Sequence, residues 1–271
     1  MQFTVFPVTR LLAPKSRVYG AERIPECGPG VLAPTHFAAI DGFVIGSFST
    51  RTIWFMVKAE VANLPIIGEA LGWTGGFSAR RGTCSHHTLR NARELVKSGH
   101  LVGIFPEGTR QRLPRVAENL EKGAAYVSLR EGVPIIPCAI DSVGWSSRRN
   151  RRSCCVVFGE PMTFSDLNCS PDGYREATNR LRAELVRLFA LALEATESGF
   201  PPQLSDGTTA NKPRRIKAIR RVPNARRVSG HPRSAPERGE AAEVLSLVFD
   251  QEPNRAVTAG TMASGYGGRT G

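Results

Sequence analysis

The sequence predicts an α/β fold: a layered domain with a mostly parallel, mixed sheet flanked by helices, followed by a disordered basic tail. Three observations carry this. Short apolar runs alternate with helical patterns over residues 20–200, the pattern of βαβ units. Hydrophobic residues make up 41% and charged residues 22% of the 271, an ordinary globular balance. Residues 201–271 break from it, with 12 Lys and Arg against 6 Asp and Glu, 7 Pro, 8 Gly and only Phe249 and Tyr266 as aromatics. Such a segment buries too little apolar surface to offset its chain entropy.

The elements follow in order. Residues 1–19 form an apolar and basic N-terminal segment, with Phe3, Val5, Phe6, Leu11 and Leu12 around Arg10 and ahead of Lys15 and Arg17. Strands are expected at 31–34, 52–57, 101–105, 133–140 and 154–158, each a short apolar run. A helix over 85–97 opens on Ser85 as N-cap and stops before Gly99. A second over 117–130 ends at Gly132, which suits a left-handed C-cap. The longest follows Ser170-Pro171 and runs to about Glu197. Its Leu181, Leu185, Leu188 and Leu191 step by four, three and three and hold one apolar face. The tail has one candidate element, at 241–249.

With 36 Lys and Arg against 24 Asp and Glu, the net charge is +12, so anionic partners are favoured: nucleic acid, an anionic membrane surface or a phosphorylated substrate. The six cysteines form no C-x-x-C pair, and Cys154-Cys155 are adjacent, which suits neither a zinc site nor a disulfide framework. They read as small apolar residues in a reducing compartment. Nothing reads as a secretory signal, and no uninterrupted apolar run approaches the roughly 20 residues that span a bilayer.

Four short segments carry chemistry. His36 and Asp41 directly follow the strand at 31–34, and strand ends are where α/β sheets place their sites. An imidazole accepts a proton near neutral pH, and a carboxylate on its other nitrogen fixes the tautomer. Phe105-Pro106-Glu107-Gly108-Thr109-Arg110 follows the strand at 101–105 and presents Glu107 and Arg110 from a turn; an Arg fork suits phosphate. Gly75 to Arg81 is a glycine-flanked apolar piece ending in arginines. Val133-Pro134-Ile135-Ile136-Pro137 puts two prolines in an apolar strand, which restricts it to a sheet edge or an irregular place. Taken singly, each has a plain alternative: a chance pairing, a surface turn, solvated arginines, an edge strand.

Together, in this order and spacing, the four blocks resemble the glycerophospholipid acyltransferase family, the lysophosphatidate acyltransferases in particular. The resemblance covers about residues 15–195. Lys58-Ala59-Glu60 is similar to the Lys-x-Glu segment that members carry between the first two blocks. The chain departs from the family pattern at Thr35, where Asn is usual, at Ala38 and Gln111, where Ser is usual, and at Arg80 in place of Asp.

The resemblance implies acyl transfer from acyl-CoA or acyl carrier protein to the sn-2 hydroxyl of lysophosphatidic acid, giving phosphatidic acid. His36 would be the base and Asp41 its holder. Substrate would be bound by Lys58, Gly75, Arg81, Glu107, Gly108, Thr109 and Arg110, with the cations on the acceptor phosphate and Glu107 orienting the glycerol or the arginines. No cofactor, metal or covalent acyl-enzyme is implied. Alternatives are another lysophospholipid or glycerol 3-phosphate as acceptor.

The rival from another class is a basic nucleic-acid-binding protein. Lys212, Arg214, Arg215, Lys217, Arg220, Arg221, Arg226 and Arg227 form a run with no acid among them. Residues 203–248 hold no aromatic for base stacking, which argues against nucleic acid. The run also fits an anionic lipid surface, and the expected location is peripheral, on the cytoplasmic side of the cell membrane. His86 and His87, beside Cys84, are too close in sequence to wrap a metal ion well.

Overall fold

The computed structural model describes residues 16–58, 77–79, 86–143 and 154–199. The tail over 201–271, most of the N-terminal segment, Gly75 and Arg81 lie outside the described residues.

Among the described residues, seven strands form one sheet: β1 (Arg17–Tyr19), β2 (Gly30–Pro34), β3 (Ile53–Lys58), β4 (Phe77–Ala79), β5 (Leu101–Gly103), β6 (Ile135–Asp141) and β7 (Cys155–Phe158). Their order is β1-β7-β6-β2-β5-β3-β4. Every pairing is parallel except β6 with β7, so the sheet is mixed and mostly parallel, as the sequence predicts. Four described α-helices accompany them: α1 (Asp41–Phe48), α2 (His86–Lys97), α3 (Gly123–Glu131) and α4 (Pro171–Ser198).

The interior strands are apolar on both faces, as parallel strands inside an α/β sheet are; β2, β6 and β7 are buried at every residue. The long helix α4 starts as expected. Ser170 accepts a hydrogen bond from the Gly173 amide, and Pro171 occupies the first turn, where its missing donor costs nothing. Leu181, Leu185 and Leu188 are buried in the core, with Phe189, Ala192 and Ala195 continuing the same face. Gly132 ends α3 at φ 63°, a conformation that suits a residue without a Cβ.

Four expectations change. The sheet takes in Arg17–Tyr19, so the fold reaches back into the segment 1–19. The helix expected over 117–130 begins only at Gly123. Before it, the amides that would open a helix go elsewhere: Ala117 donates to Glu107 and Glu121 to the Pro106 carbonyl. Helix α1 was not expected, because it is eight residues long, its apolar residues Phe43, Val44, Ile45 and Phe48 form no stripe in the sequence and it contains Gly42 and Gly46.

The fourth change is β6, which lies between β7 and β2 and not at an edge, despite Pro137. On the β2 side the Pro134 and Cys138 carbonyls accept from Val31 and Thr35. Alternation therefore turns the Pro137 nitrogen toward β7, where that strand ends at Phe158. No ladder donor is needed there; the Pro137 carbonyl takes the Gly159 amide, and pairing resumes only at Ile135 with Met162.

Candidate active site

The carboxyl-terminal ends of β2, β5 and β6 lie side by side, and each delivers part of one cluster. From β2 the chain passes through Thr35 to His36. From β5 it passes through Phe105 to Glu107. From β6 it reaches Ser142.

His36 Nδ1 is 3.0 Å from Asp41 Oδ2. The five-residue spacing does not place the pair on one helix. His36 sits in the loop, and Asp41 opens α1 and reaches back. The same Oδ2 accepts the amides of Phe37 at 2.7 Å and Ala38 at 2.9 Å. Oδ1 accepts the Ser142 hydroxyl at 2.6 Å. Asp41 is fully buried, so these donors replace the water it has lost. A carboxylate only accepts, so Nδ1 carries the proton and Nε2 keeps the lone pair.

The ring is held on its face as well. His36 stacks on Phe105 with centroids 4.1 Å apart, and Phe105 stacks on Phe55 at 5.5 Å. Phe55 lies flat on Gly103, where a Cβ would collide with its ring. The glycine in β5 thereby sets the seat of the histidine two aromatic layers away.

Glu107 is buried and spans two backbones. One oxygen accepts the His36 amide at 2.6 Å and the other the Ala117 amide at 3.0 Å. Burial raises its pKa above the ordinary carboxylate value, and the two amide bonds work against that rise. Both oxygens face backbone donors in this arrangement. Gln111 closes the circuit, its amide donating to the His36 carbonyl at 2.7 Å. Gly108 turns with φ 65°, and Gly108, Thr109 and Arg110 are exposed on the loop that follows. Lys58 ends β3, with its side chain outside the described residues, as are Gly75 and Arg81.

Sequence reasoning missed Ser142, Phe105 as the ring's platform, and the use of Thr35. The Thr35 hydroxyl accepts the Ile140 amide at 3.0 Å and ties β2 to β6. Ser142 follows the end of a strand, the one signal that would have pointed to it. The buried cysteines offer no nucleophile: burial pushes the thiols of Cys138, Cys154 and Cys155 up, that of Cys155 to about 12.

A strand-end histidine backed by a buried carboxylate, on a mostly parallel α/β sheet, is an arrangement suited to moving a proton, as transferases and hydrolases require. Comparison with known proteins narrows the class. Residues 15–141 match the sequence model of the Acyltransferase family. The match spans just under half of the chain, and with the relatives it supports an enzyme of the acyltransferase type. A 1-acyl-sn-glycerol-3-phosphate acyltransferase of Bacillus subtilis is 28% identical over 180 residues, covering 62% of this chain and 87% of the relative. A chloroplastic 1-acyl-sn-glycerol-3-phosphate acyltransferase of Brassica napus is 29% identical over 133 residues, 48% of this chain and 38% of its own length. A crystal structure of a 1-acyl-sn-glycerophosphate acyltransferase from Thermotoga maritima shares the fold with TM-score 0.53 and 23% identity, over 66% of this chain and 73% of that one.

Proposed function

We propose that this protein transfers a fatty acyl group from an acyl thioester to the free hydroxyl of lysophosphatidic acid, giving phosphatidic acid. The observation that carries it is the His36–Asp41 contact, with Nδ1 committed and Nε2 available. The names of the relatives support the acceptor.

Nε2 of His36 removes the proton of the acceptor hydroxyl as its oxygen attacks the thioester carbonyl. Asp41 stabilises the imidazolium that forms. The tetrahedral adduct collapses by breaking its C–S bond, and the imidazolium returns its proton to the departing thiolate. No enzyme nucleophile is consumed. The exposed Arg110, with Lys58 and Arg81, supplies cations for the acceptor phosphate, which carries about −1.5 to −2 charges. The donor thiol belongs to coenzyme A or to a carrier protein.

No described helix is long and apolar enough to cross a membrane. The docking we propose is peripheral, on the cytoplasmic face, through the apolar start and the cationic run Lys212 to Arg227. Removing 201–271 should leave transfer to a dispersed short-chain lysolipid intact and weaken sedimentation with anionic liposomes.

Purified protein, labelled acyl-CoA and a panel of lysophosphatidic acid, other lysophospholipids and glycerol 3-phosphate test the reading. Preferred labelling of lysophosphatidic acid is expected. Transfer to none of them, with tight salt-sensitive DNA binding, would overturn it in favour of a nucleic-acid partner.

A further inference from the structure

We infer that Ser142 is a positioning residue for acyl transfer, its hydroxyl holding the Asp41 carboxylate in the orientation that His36 requires. This rests on the acyl-transfer reading of the same site. Ser142 lies 101 residues from Asp41 in the chain, yet its Oγ donates to Oδ1 at 2.6 Å, and both side chains are buried. The division of labour is clean. Oδ2 takes His36 and the amides of Phe37 and Ala38, while Oδ1 takes Ser142. Without that hydroxyl, Oδ1 loses a donor in a place screened from water, and rotation of the carboxylate toward the remaining donors becomes favourable. Such a rotation moves Oδ2 off the line to Nδ1.

The serine is itself held in place. The Ile140 amide donates to Thr35 Oγ1 at 3.0 Å, and the Thr35 hydroxyl lies 3.4 Å from the Ile140 carbonyl. This clamp fixes the end of β6 against the residue that precedes His36. Alternation along an extended chain sends Ser142 to the same side as Ile140. The stretch matching the family ends at Asp141, one residue short of Ser142.

The test uses the full chain with Ser142→Ala, Ser142→Thr and Ser142→Cys, each checked for folding by thermal melting. Ser142→Ala should lower kcat about tenfold, the scale of one hydrogen bond to a charged group, and leave the acceptor KM in place. Ser142→Thr, which keeps the hydroxyl, should restore most of kcat. Ser142→Cys keeps the volume with a weak donor and repeats the measurement should Ser142→Ala unfold. In an Asp41→Ala background, Ser142→Ala should cost nothing further, because the two act as one unit. The His36 Nδ1 proton resonance reads the same contact without substrate and should move in Ser142→Ala. An unmoved resonance, or an undiminished kcat in folded Ser142→Ala, overturns the inference. An independent loss in the Asp41→Ala background also overturns it, by making the role general to the fold. Absence of transfer by the wild-type protein would instead sink the acyl-transfer reading, leaving the resonance to judge Ser142.

Discussion

The two parts of the site are built to different standards. On the His36 side every group has a fixed partner: Asp41 against two amides and a hydroxyl, the ring against Phe105, the His36 amide against Glu107. On the Arg110 side the loop after Gly108 stands exposed, with Thr109, Arg110 and Arg112 at the surface. Proton transfer needs atoms held to fractions of an ångström, and buried strand ends supply that. Gripping a phosphate needs charge within reach, and an exposed loop suffices. Changes on the first side should therefore strike kcat, and changes on the second should strike KM.

The largest effect after loss of the histidine itself should come from Asp41→Asn. The amide carries no negative charge to stabilise the imidazolium, and its NH2 group puts a donor at one of the two positions where the carboxylate accepts. A fall in kcat on the order of 10²- to 10⁴-fold is expected. Steady-state rates on soluble acceptor check it, and a change confined to KM would break the contrast.

Next is Gly103→Ala. The added methyl pushes Phe55 and, through it, the Phe105 and His36 stack. Overpacking of this kind costs about 1–3 kcal/mol. A lowered melting temperature with a lowered kcat is the expected pair. A loss of stability with an intact kcat would show that the aromatic stack does not seat the base.

Arg110→Lys should be milder. It keeps the charge and loses the bidentate fork. The acceptor KM should rise more than that of the acyl donor, with kcat little changed. Equal effects on both substrates would assign Arg110 to shaping the loop.

The smallest effect is a pH dependence. Burial raises the carboxyls of Glu107 and Asp141 above their ordinary values. The folded state then binds protons that the unfolded state has released, so these two groups favour the folded state at low pH. That contribution is lost as pH rises from the ordinary carboxylate values through the raised ones. In Glu107→Gln the melting temperature should fall less steeply with rising pH over that window; an unchanged slope would contradict the assignment.

Much of this was readable in the sequence, for physical reasons. The apolar runs gave β2, β3, β5, β6 and β7 because buried strands are apolar throughout, and Ser170-Pro171 and Gly132 marked helix ends by their backbone chemistry. His36 and Glu107 stood out because they follow strands. Three-residue strands such as β1 and β4 carry no period to read. The helix start at Gly123 was hidden because Ala117 and Glu121 give their amides to the Pro106-Glu107 turn. The central place of β6 was hidden because it depends on where β7 stops. Ser142 meets Asp41 only through the parallel order of β2 and β6, a relation no local window contains.

One measurement bears most directly on the central claim that His36 acts as a general base without an acyl-enzyme. Folded His36→Ala and wild-type protein are given labelled acyl thioester, with and without lysophosphatidic acid. Wild-type protein should form labelled phosphatidic acid and carry no label itself, and His36→Ala should be slower by about 10²- to 10⁴-fold. Wild-type rates in the variant, or label trapped covalently on the protein in the absence of acceptor, would contradict the account.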